Sequence, residues 1–287
     1  MEGIEAHRAL LGRLLPDDAL DELTLRRGQF HDVVMGSDRV VCFARTKAAA
    51  GRLHERAAVL RVLTELDLGF RTPEPLFEGG AQGTGEPPFL VLGRIPGAPL
   101  EFGTFVDSEV AEAVAVEYAT LLAGLARAGA DEKVRAALPH APKDRWQRFA
   151  ADVRADLFVL MSGSGRRRAE RELAALGGLP HLTGAVVHGD LGGANILWEF
   201  TGGRPRLTGV IDWDEVALGD PAEDLAAIST GHGDDLLGRV LALGGWSEKS
   251  MGARVAAIRG TFALQQALYA RRDGDEAALA DGLTGYR

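Results

Sequence analysis

The chain has 287 residues, of which 46% are hydrophobic and 25% are charged, and its formal net charge is −9. This composition is typical of a globular protein and excludes a disordered chain, a fibre and a coiled coil. The acidic balance argues against a nucleic-acid-binding protein, which needs a basic surface, and no apolar run is long enough to span a bilayer. The single cysteine, Cys42, excludes an intramolecular disulfide framework and a cysteine-rich metal site.

Charge is distributed unevenly along the chain. Residues 1–100 carry 12 basic and 14 acidic side chains, whereas residues 101–287 carry 20 and 27. The second part could therefore attract a cationic ligand, although an acidic surface also serves simply to keep a protein in solution. The acidic N-terminal segment lacks the basic and apolar regions of a secretory signal. We therefore expect a cytoplasmic protein that binds neither nucleic acid nor membrane.

The first hundred residues are predicted to be rich in β-strands. Short runs of β-branched and aromatic residues are separated there by turn residues, which is the pattern of antiparallel strands. Helical spacing of apolar residues precedes and follows these runs. The predicted elements are a helix over 4–15, an antiparallel meander over 23–43, a helix over 47–66, a loop over 78–88 and a buried strand over 89–92.

A Pro- and Gly-rich connector at 94–99 separates this part from a mostly helical remainder. We place the domain boundary there and predict an α+β fold of two lobes. Residues 1–94 form a small antiparallel β-rich lobe, and residues 95–287 form a larger, mainly helical lobe.

A helix over 107–128 is predicted, with Asp107 and Ser108 as its cap and with Tyr118 in its apolar stripe. Helices over 143–160 and 165–176 follow, separated by a turn at 163–165. A strand region over 185–211 and helices from 221 to the end complete the second lobe.

Polar residues of catalytic type are concentrated in the segment 186–226. Asp190 and Asn195 lie on a loop after an apolar run, and a later apolar run ends at Asp212. If these side chains converge at one end of a small sheet, their oxygen atoms suit a hard divalent cation such as Mg²⁺. Each of them alone would more often be a turn former or a helix cap. His188 has no second histidine at metal-ligand spacing, which favours a packing or hydrogen-bonding role in the loop.

Three motifs in this segment resemble those of the aminoglycoside phosphotransferase family. Residues 188–195 read H-G-D-L-G-G-A-N, residues 211–214 read I-D-W-D, and residues 219–226 read G-D-P-A-E-D-L-A. The resemblance extends over nearly the whole chain. It implies a protein-kinase-like fold and an Mg²⁺-dependent enzyme that transfers a phosphoryl group from ATP or GTP to an alcohol group.

The similarity extends to the members of that family that inactivate tuberactinomycin antibiotics such as viomycin and capreomycin. These antibiotics are cationic cyclic peptides. The resemblance therefore implies a function in antibiotic resistance, with such a peptide as the acceptor and a nucleoside triphosphate as the second partner.

The resemblance also implies roles for individual residues. Asp190 matches the catalytic aspartate, which orients the acceptor hydroxyl and accepts its proton, and Asn195 and Asp212 match the magnesium ligands. Asp220 and Asp224 match positions that brace the catalytic loop. The positions implied to bind the nucleotide are Arg45, Gly28, Gln29, Phe30, His31, Gly93 and Ile95.

The sequence departs from the family pattern at the cation that binds phosphate. Arg45 replaces the lysine of kinases, with Lys47 as a nearby alternative. The partner glutamate on the next helix is replaced by Arg56, and Glu55 lies one residue away, about 100° round the helix. We therefore expect another acid to hold Arg45.

A cationic acceptor would find many acidic side chains after the catalytic loop. The residues predicted to bind the acceptor are Asp214, Glu215, Asp234, Asp235 and Asp273. Two other hypotheses remain open. One is a kinase of the same fold that acts on an aminoglycoside, choline, homoserine or a sugar, and the other is an inactive nucleotide-binding regulator.

Overall fold

A computed structural model describes residues 4–5, 7–28, 30–80, 85–100 and 108–287. The chain forms two compact units. The first comprises Met1–Thr104 and Ala194–Glu215, and the second comprises Phe105–Gly193 and Val216–Arg287. Among the described residues, every helix falls short of the length and apolar character that a membrane span requires.

A five-stranded antiparallel sheet, ordered β1-β2-β3-β5-β4, forms the centre of the first unit. The meander predicted over 23–43 is confirmed, since its three strands pair antiparallel in chain order. Two helices belong to the same unit, α1 (Arg8–Leu14) and α2 (Lys47–Thr64). The strands of the sheet are β1 (Thr24–Arg27), β2 (His31–Met35), β3 (Arg39–Ala44), β4 (Pro75–Gly79) and β5 (Phe89–Gly93).

Helix α2 forms where the sequence predicts it. Thr46 caps its N-terminus by accepting a hydrogen bond from the Ala49 backbone N–H at 3.0 Å. The predicted apolar face is buried, which fixes the helix against the rest of the unit. Its buried residues are Ala49, Leu53, Ala57, Leu60 and Leu63.

Strand β4 was not predicted, because Pro73 and Pro75 follow the end of the predicted helix and residues 78–88 were predicted to be a loop. It lies at the edge of the sheet. Pro75 is the first residue of the strand, a position that tolerates the missing backbone N–H of proline.

A hairpin of two further strands, β7 (Ile196–Thr201) and β8 (Arg204–Val210), also belongs to the first unit. Its two-residue turn has positive φ at both Gly202 and Gly203, as a tight hairpin requires. Isolated bridges join Trp198 to Ala98 and Gly209 to Arg71.

These bridges explain why the first compact unit differs from the predicted lobe of residues 1–94. It extends to Thr104 and takes in Ala194–Glu215. The assignment of nucleotide binding to residues 1–94, and of catalysis and substrate binding to residues 95–287, stays a prediction.

The second unit is mainly helical, as predicted. Its core includes Val153, Leu157, Leu264 and Tyr286, which are at most 1% exposed. Two short strands, β6 (Ala185–Val187) and β9 (Ala217–Gly219), pair antiparallel. The helices of this unit are α3 (Ser108–Gly129), α4 (Glu132–Ala137), α5 (Arg145–Asp156), α6 (Gly163–Gly177), α7 (Ala222–His232), α8 (Asp234–Leu243), α9 (Ala253–Arg259), α10 (Phe262–Asp273) and α11 (Glu276–Gly282).

Two local predictions in this unit have different outcomes. The turn predicted at 163–165 is instead the first turn of α6, because Ser162 caps the helix by accepting from the Gly165 N–H at 3.0 Å. Asp107, the predicted cap of α3, lies outside the described residues.

Candidate active site

The loop that carries Asp190 begins where the buried strand β6 ends. His188 is fully buried, and its Nδ1 accepts a hydrogen bond from the Asp190 backbone N–H at 3.2 Å. A ring nitrogen that accepts carries no proton, so this contact assigns the proton of the neutral ring to Nε2. The φ of Gly189 is +88°, which favours glycine. The loop thus presents Asp190 as an exposed residue, and His188 has the loop hydrogen-bonding role that its sequence context favoured.

Asp224, in the first turn of α7, is hydrogen-bonded to the backbone of this loop. Its carboxylate accepts hydrogen bonds from the backbone N–H groups of His188 at 2.9 Å and Gly189 at 3.1 Å. The residue is 1% exposed. Burial raises its pKa to about 7, although the two hydrogen bonds oppose that shift. The bracing role that the sequence implied for Asp224 is therefore visible in the structure.

Two more acids at the start of α7 form ion pairs. Asp220 forms an ion pair with Arg254, whose Nε lies 2.9 Å from Asp220 Oδ2 and whose Nη2 donates to Asp220 Oδ1 at 3.3 Å, and the carboxylate also accepts from the Ala222 N–H. Glu223 pairs with Arg145 at 2.7 Å, and burial raises the pKa of Glu223. These pairs fix the helix that carries Asp224.

A tyrosine–histidine pair next to the end of the catalytic loop was missed by sequence reasoning. The Tyr118 hydroxyl lies 2.7 Å from His232 Nε2, and burial lowers the pKa of His232. The His232 ring lies beside Gly193, where an added Cβ would come within 3.4 Å of it. Tyr118 was predicted only as part of the apolar stripe of α3, because nothing in the sequence connects it with residue 232.

Asn195 directly precedes β7 and Asp212 follows the end of β8, so these predicted magnesium ligands lie at the same end of the β7–β8 hairpin. The register pairs Ile196 with Val210, and the Ile211 N–H donates to the Asn195 carbonyl oxygen at 2.9 Å. Within the described part of the chain, Asp212 is the one non-glycine residue with positive φ, at +65°. Such strain is stored where the surrounding structure holds it and is frequent at functional sites.

This pair fits a hard cation. It offers one carboxylate and one amide oxygen, which are oxygen ligands of the type Mg²⁺ takes. Asp212 is exposed and Asn195 is partly exposed. Elsewhere in the described ranges, no group of three or more His, Cys, Asp or Glu side chains is arranged to hold a metal ion.

The residues after Asp212 are firmly held. Trp213 is 2% exposed, its Nε1 donates to the Val210 carbonyl at 2.9 Å, and its ring stacks on Phe70 at 6.3 Å between centroids. Asp214 pairs with Arg56 Nε at 2.7 Å. The loop that contains Asp212 is therefore fixed on its C-terminal side.

His31 completes the cluster around Arg56. Its Nδ1 lies 3.3 Å from Arg56 Nη1 and 3.7 Å from Asp214 Oδ2. Burial and the neighbouring Arg56 charge lower the pKa of His31 to about 4, so the ring is neutral at pH 7. His31, predicted to bind the nucleotide, and Asp214, predicted to bind the acceptor, thus lie together in the first unit.

Arg45 contacts the turn predicted to bind phosphate. Its Nη1 donates to the Gly28 carbonyl at 2.5 Å, and its backbone N–H donates to the Phe30 carbonyl at 2.9 Å. Asp32 Oδ1 lies 3.7 Å from Arg45 Nε and 3.4 Å from Arg27 Nε, so Asp32 is an acid near Arg45 that it shares with Arg27. Lys47 is the exposed first residue of α2.

The other predicted nucleotide-binding positions lie in or near the same sheet. Gln29 lies outside the described residues. The Gly93 N–H donates to the Glu74 carbonyl at 2.8 Å, and Gly93 pairs with Arg39 in the sheet. Ile95 is buried and packs against Gly209.

The five acids predicted to bind the acceptor belong to different elements of the fold. Asp214 and the exposed Glu215 belong to the first unit. Asp234 opens α8 and pairs with Arg259, which lowers the pKa of Asp234. Asp235 is exposed beside it, and Asp273 is the last residue of α10. Acceptor binding by these five residues stays a prediction.

The chain belongs to the phosphotransferase enzyme family, whose model matches residues 25–254. It is therefore a kinase-type enzyme that transfers a phosphoryl group to a hydroxyl. It is similar to a viomycin phosphotransferase of Streptomyces vinaceus, with 69% identity over 287 residues and full coverage of both chains.

Solved structures of phosphotransferases share the fold. One is the GDP and kanamycin complex of APH(2″)-IIia, with a TM-score of 0.85 at 19% identity, covering 97% of this chain and 96% of the other. Another is a macrolide 2′-phosphotransferase from Brachybacterium faecium, with a TM-score of 0.73 at 21% identity and coverage of 99% and 98%. The predicted protein-kinase-like α+β fold is confirmed.

Proposed function

We propose that this enzyme confers antibiotic resistance by phosphorylating a hydroxyl of a tuberactinomycin peptide, viomycin or capreomycin, with ATP or GTP as the donor. The observation that carries the proposal is the 69% identity over the full length to a viomycin phosphotransferase. The intact Asp190, Asn195 and Asp212 support an active enzyme over an inactive regulator. Because the proposed donor is a nucleoside triphosphate, the enzyme is proposed to act in the cytoplasm.

Asp190 is the proposed catalytic residue. Its carboxylate holds the acceptor hydroxyl in line with the phosphorus atom and accepts the proton as the new bond forms. Because phosphoryl transfer passes through a loose transition state, positioning contributes more than deprotonation. The hydrogen bonds of Asp224 to the loop support this role, since they fix the backbone from which Asp190 projects.

Asn195 and Asp212 are the residues proposed to hold Mg²⁺. When bound, the metal neutralises charge that develops on the phosphate oxygens. Arg45 and the turn at 28–31 are proposed to bind the phosphates, and the backbone at Gly93 and Ile95 to meet the base. The contact of Arg45 with the Gly28 carbonyl supports this, because it keeps the guanidinium at the turn.

The acceptor is proposed to be recognised partly through charge. Since Asp214 and Asp234 are already paired with arginines, we assign long-range attraction of a cationic peptide to the exposed Asp235 and to the acidic surface as a whole. That attraction is screened by salt. The KM for the acceptor should therefore rise with ionic strength, while the KM for the nucleotide changes less.

Release of nucleoside diphosphate in the presence of different acceptors tests the proposal. Viomycin, capreomycin, kanamycin and choline are compared, each with ATP and with GTP, with and without Mg²⁺. The proposal expects Mg²⁺-dependent release stimulated by the two peptides and abolished in Asp190→Asn. Stimulation by kanamycin or choline alone would instead support the aminoglycoside or metabolic hypothesis, and no stimulation by any acceptor would support the inactive regulator.

A further inference from the structure

A buried ion pair lies next to the predicted metal ligand Asp212. Arg56 Nε and Asp214 Oδ1 are 2.7 Å apart, and their side chains are only 15% and 21% exposed. Another pair on the same helix, Arg61 with Glu78, is more open to solvent, at 47% and 25%. The pair thus connects helix α2 to the loop that contains Asp212.

The polarity of this pair is the reverse of the kinase arrangement that the family resemblance implies. There, a basic residue on the strand pairs with an acid on the helix. Here the helix supplies the cation, Arg56, at the position of the expected glutamate, while Arg45, after the strand, lies near Asp32. The acid, Asp214, comes from the loop that contains Asp212, two residues after it. Because the acid of the ion pair belongs to the loop, the pair restrains the loop directly.

The restraint matters because Asp212 has a left-handed backbone, with φ at +65°. Such a conformation costs free energy in a non-glycine residue and persists only where neighbouring contacts impose it. On one side, the Ile211 N–H is bonded to the Asn195 carbonyl. On the other, the Trp213 side chain bonds to Val210 within the same hairpin. The Arg56–Asp214 pair adds a restraint from outside the hairpin.

We propose that Arg56 is a positioning residue of the metal site, which acts through Asp214 to hold Asp212 in the conformation that binds Mg²⁺. The inference rests on the proposed role of Asp212. His31 contributes as a neutral acceptor for Arg56 Nη1.

Metal binding is the measurement that separates this role from a merely structural one. Mn²⁺ serves as the probe, and its binding to the full-length protein in the presence of a non-hydrolysable nucleotide analogue is followed by electron paramagnetic resonance. The variants are Asp214→Asn, which keeps the shape of the side chain, Arg56→Met, Arg56→Lys and the double variant. Arg61→Met is the matched control on the same helix.

The proposal expects Asp214→Asn and Arg56→Met each to weaken Mn²⁺ binding by about 10-fold or more, the scale seen when partners of metal ligands are removed. Arg56→Lys should retain part of the affinity, and the double variant should be no weaker than the worse single variant, because both remove one contact. Arg61→Met should bind Mn²⁺ like the wild type.

Two results would overturn the proposal. One is a lowered Tm in Asp214→Asn and Arg56→Met with Mn²⁺ affinity unchanged, which shows a structural pair. The other is weaker binding of the nucleotide analogue in Arg56→Met alone, with Mn²⁺ affinity unchanged, which shows a direct phosphate contact. Neither measurement uses an acceptor, so failure of the proposed antibiotic specificity would leave this test intact. Loss of Mn²⁺ binding in Asp212→Ala checks the underlying assignment separately.

Discussion

The backbone strain at Asp212 can be separated from its chemistry by comparing two substitutions. Asp212→Ala and Asp212→Gly both remove the carboxylate, so both should lose Mg²⁺-dependent phosphoryl transfer. They differ in the backbone, because only glycine adopts a φ near +65° without steric cost. We therefore expect the glycine variant to be more stable than the alanine variant while both are inactive.

The size of the difference follows from two opposing contributions. Relief of the left-handed conformation is worth roughly 1–2 kcal/mol, and the extra freedom of glycine in the unfolded chain takes back roughly 0.5–1 kcal/mol. The net gain is about 1 kcal/mol, which corresponds to a rise in Tm of about 2–4 °C for a chain of this size.

Urea denaturation followed by tryptophan fluorescence measures the effect, since Trp213 is buried directly beside the substituted position. Metal-dependent turnover is measured in the same preparations. A glycine variant that is less stable than the alanine variant by roughly 0.5–1 kcal/mol, the cost of glycine's freedom in the unfolded chain, would show that the left-handed backbone carries no strain. Retained Mg²⁺-dependent turnover in either variant would remove Asp212 from the metal site.

Three further predictions concern the catalytic loop and the phosphate site. Asp190→Asn should lower kcat by about 100-fold or more and leave nucleotide affinity, measured by calorimetry, unchanged. Arg45→Ala should raise the KM for the nucleotide by about 10-fold, the effect of losing a charged hydrogen bond, whereas Lys47→Ala should change it little; the opposite order would move the phosphate contact to Lys47. Asp224 has a folded-state pKa of about 7, above its ordinary 3.8, so the stability it contributes is complete below pH 3.8 and is lost as the pH rises through 7. Relative to Asp224→Asn, the free energy of unfolding of the wild type should therefore fall by up to about 4 kcal/mol between pH 4 and pH 8. Urea titrations at several pH values measure this difference, and a difference that does not vary with pH would contradict the raised pKa of Asp224.

Local patterns predicted most of the secondary structure correctly. The spacing of Leu53, Ala57, Leu60 and Leu63 defines the buried face of α2, and short β-branched runs define the meander. Strand β4 was missed because pairing to β5, not intrinsic propensity, makes Pro75–Gly79 a strand. The association of Ala194–Glu215 with the first unit depends on bridges to Ala98 and Arg71, and no local pattern encodes them.

The residues of the candidate site were likewise predicted from the sequence, whereas their contacts were not. The motifs predicted Asp190, Asn195 and Asp212, and the structure brings Asn195 and Asp212 to the same end of the β7–β8 hairpin. Helix register placed Arg56 in the position of the expected glutamate, but only the fold shows that its partner is Asp214. An ion pair between residues 158 positions apart in sequence depends on tertiary packing, which composition and periodicity do not report.

Mass spectrometry of the antibiotic tests the central claim most directly. Viomycin, capreomycin and kanamycin are each incubated with the enzyme, Mg²⁺ and ATP or GTP, and Asp190→Asn serves as the inactive control. The account predicts that viomycin and capreomycin each gain the mass of one phosphoryl group on a side-chain hydroxyl, and that neither gains it with Asp190→Asn. Phosphorylated kanamycin with both peptides unmodified would contradict the assignment of the acceptor.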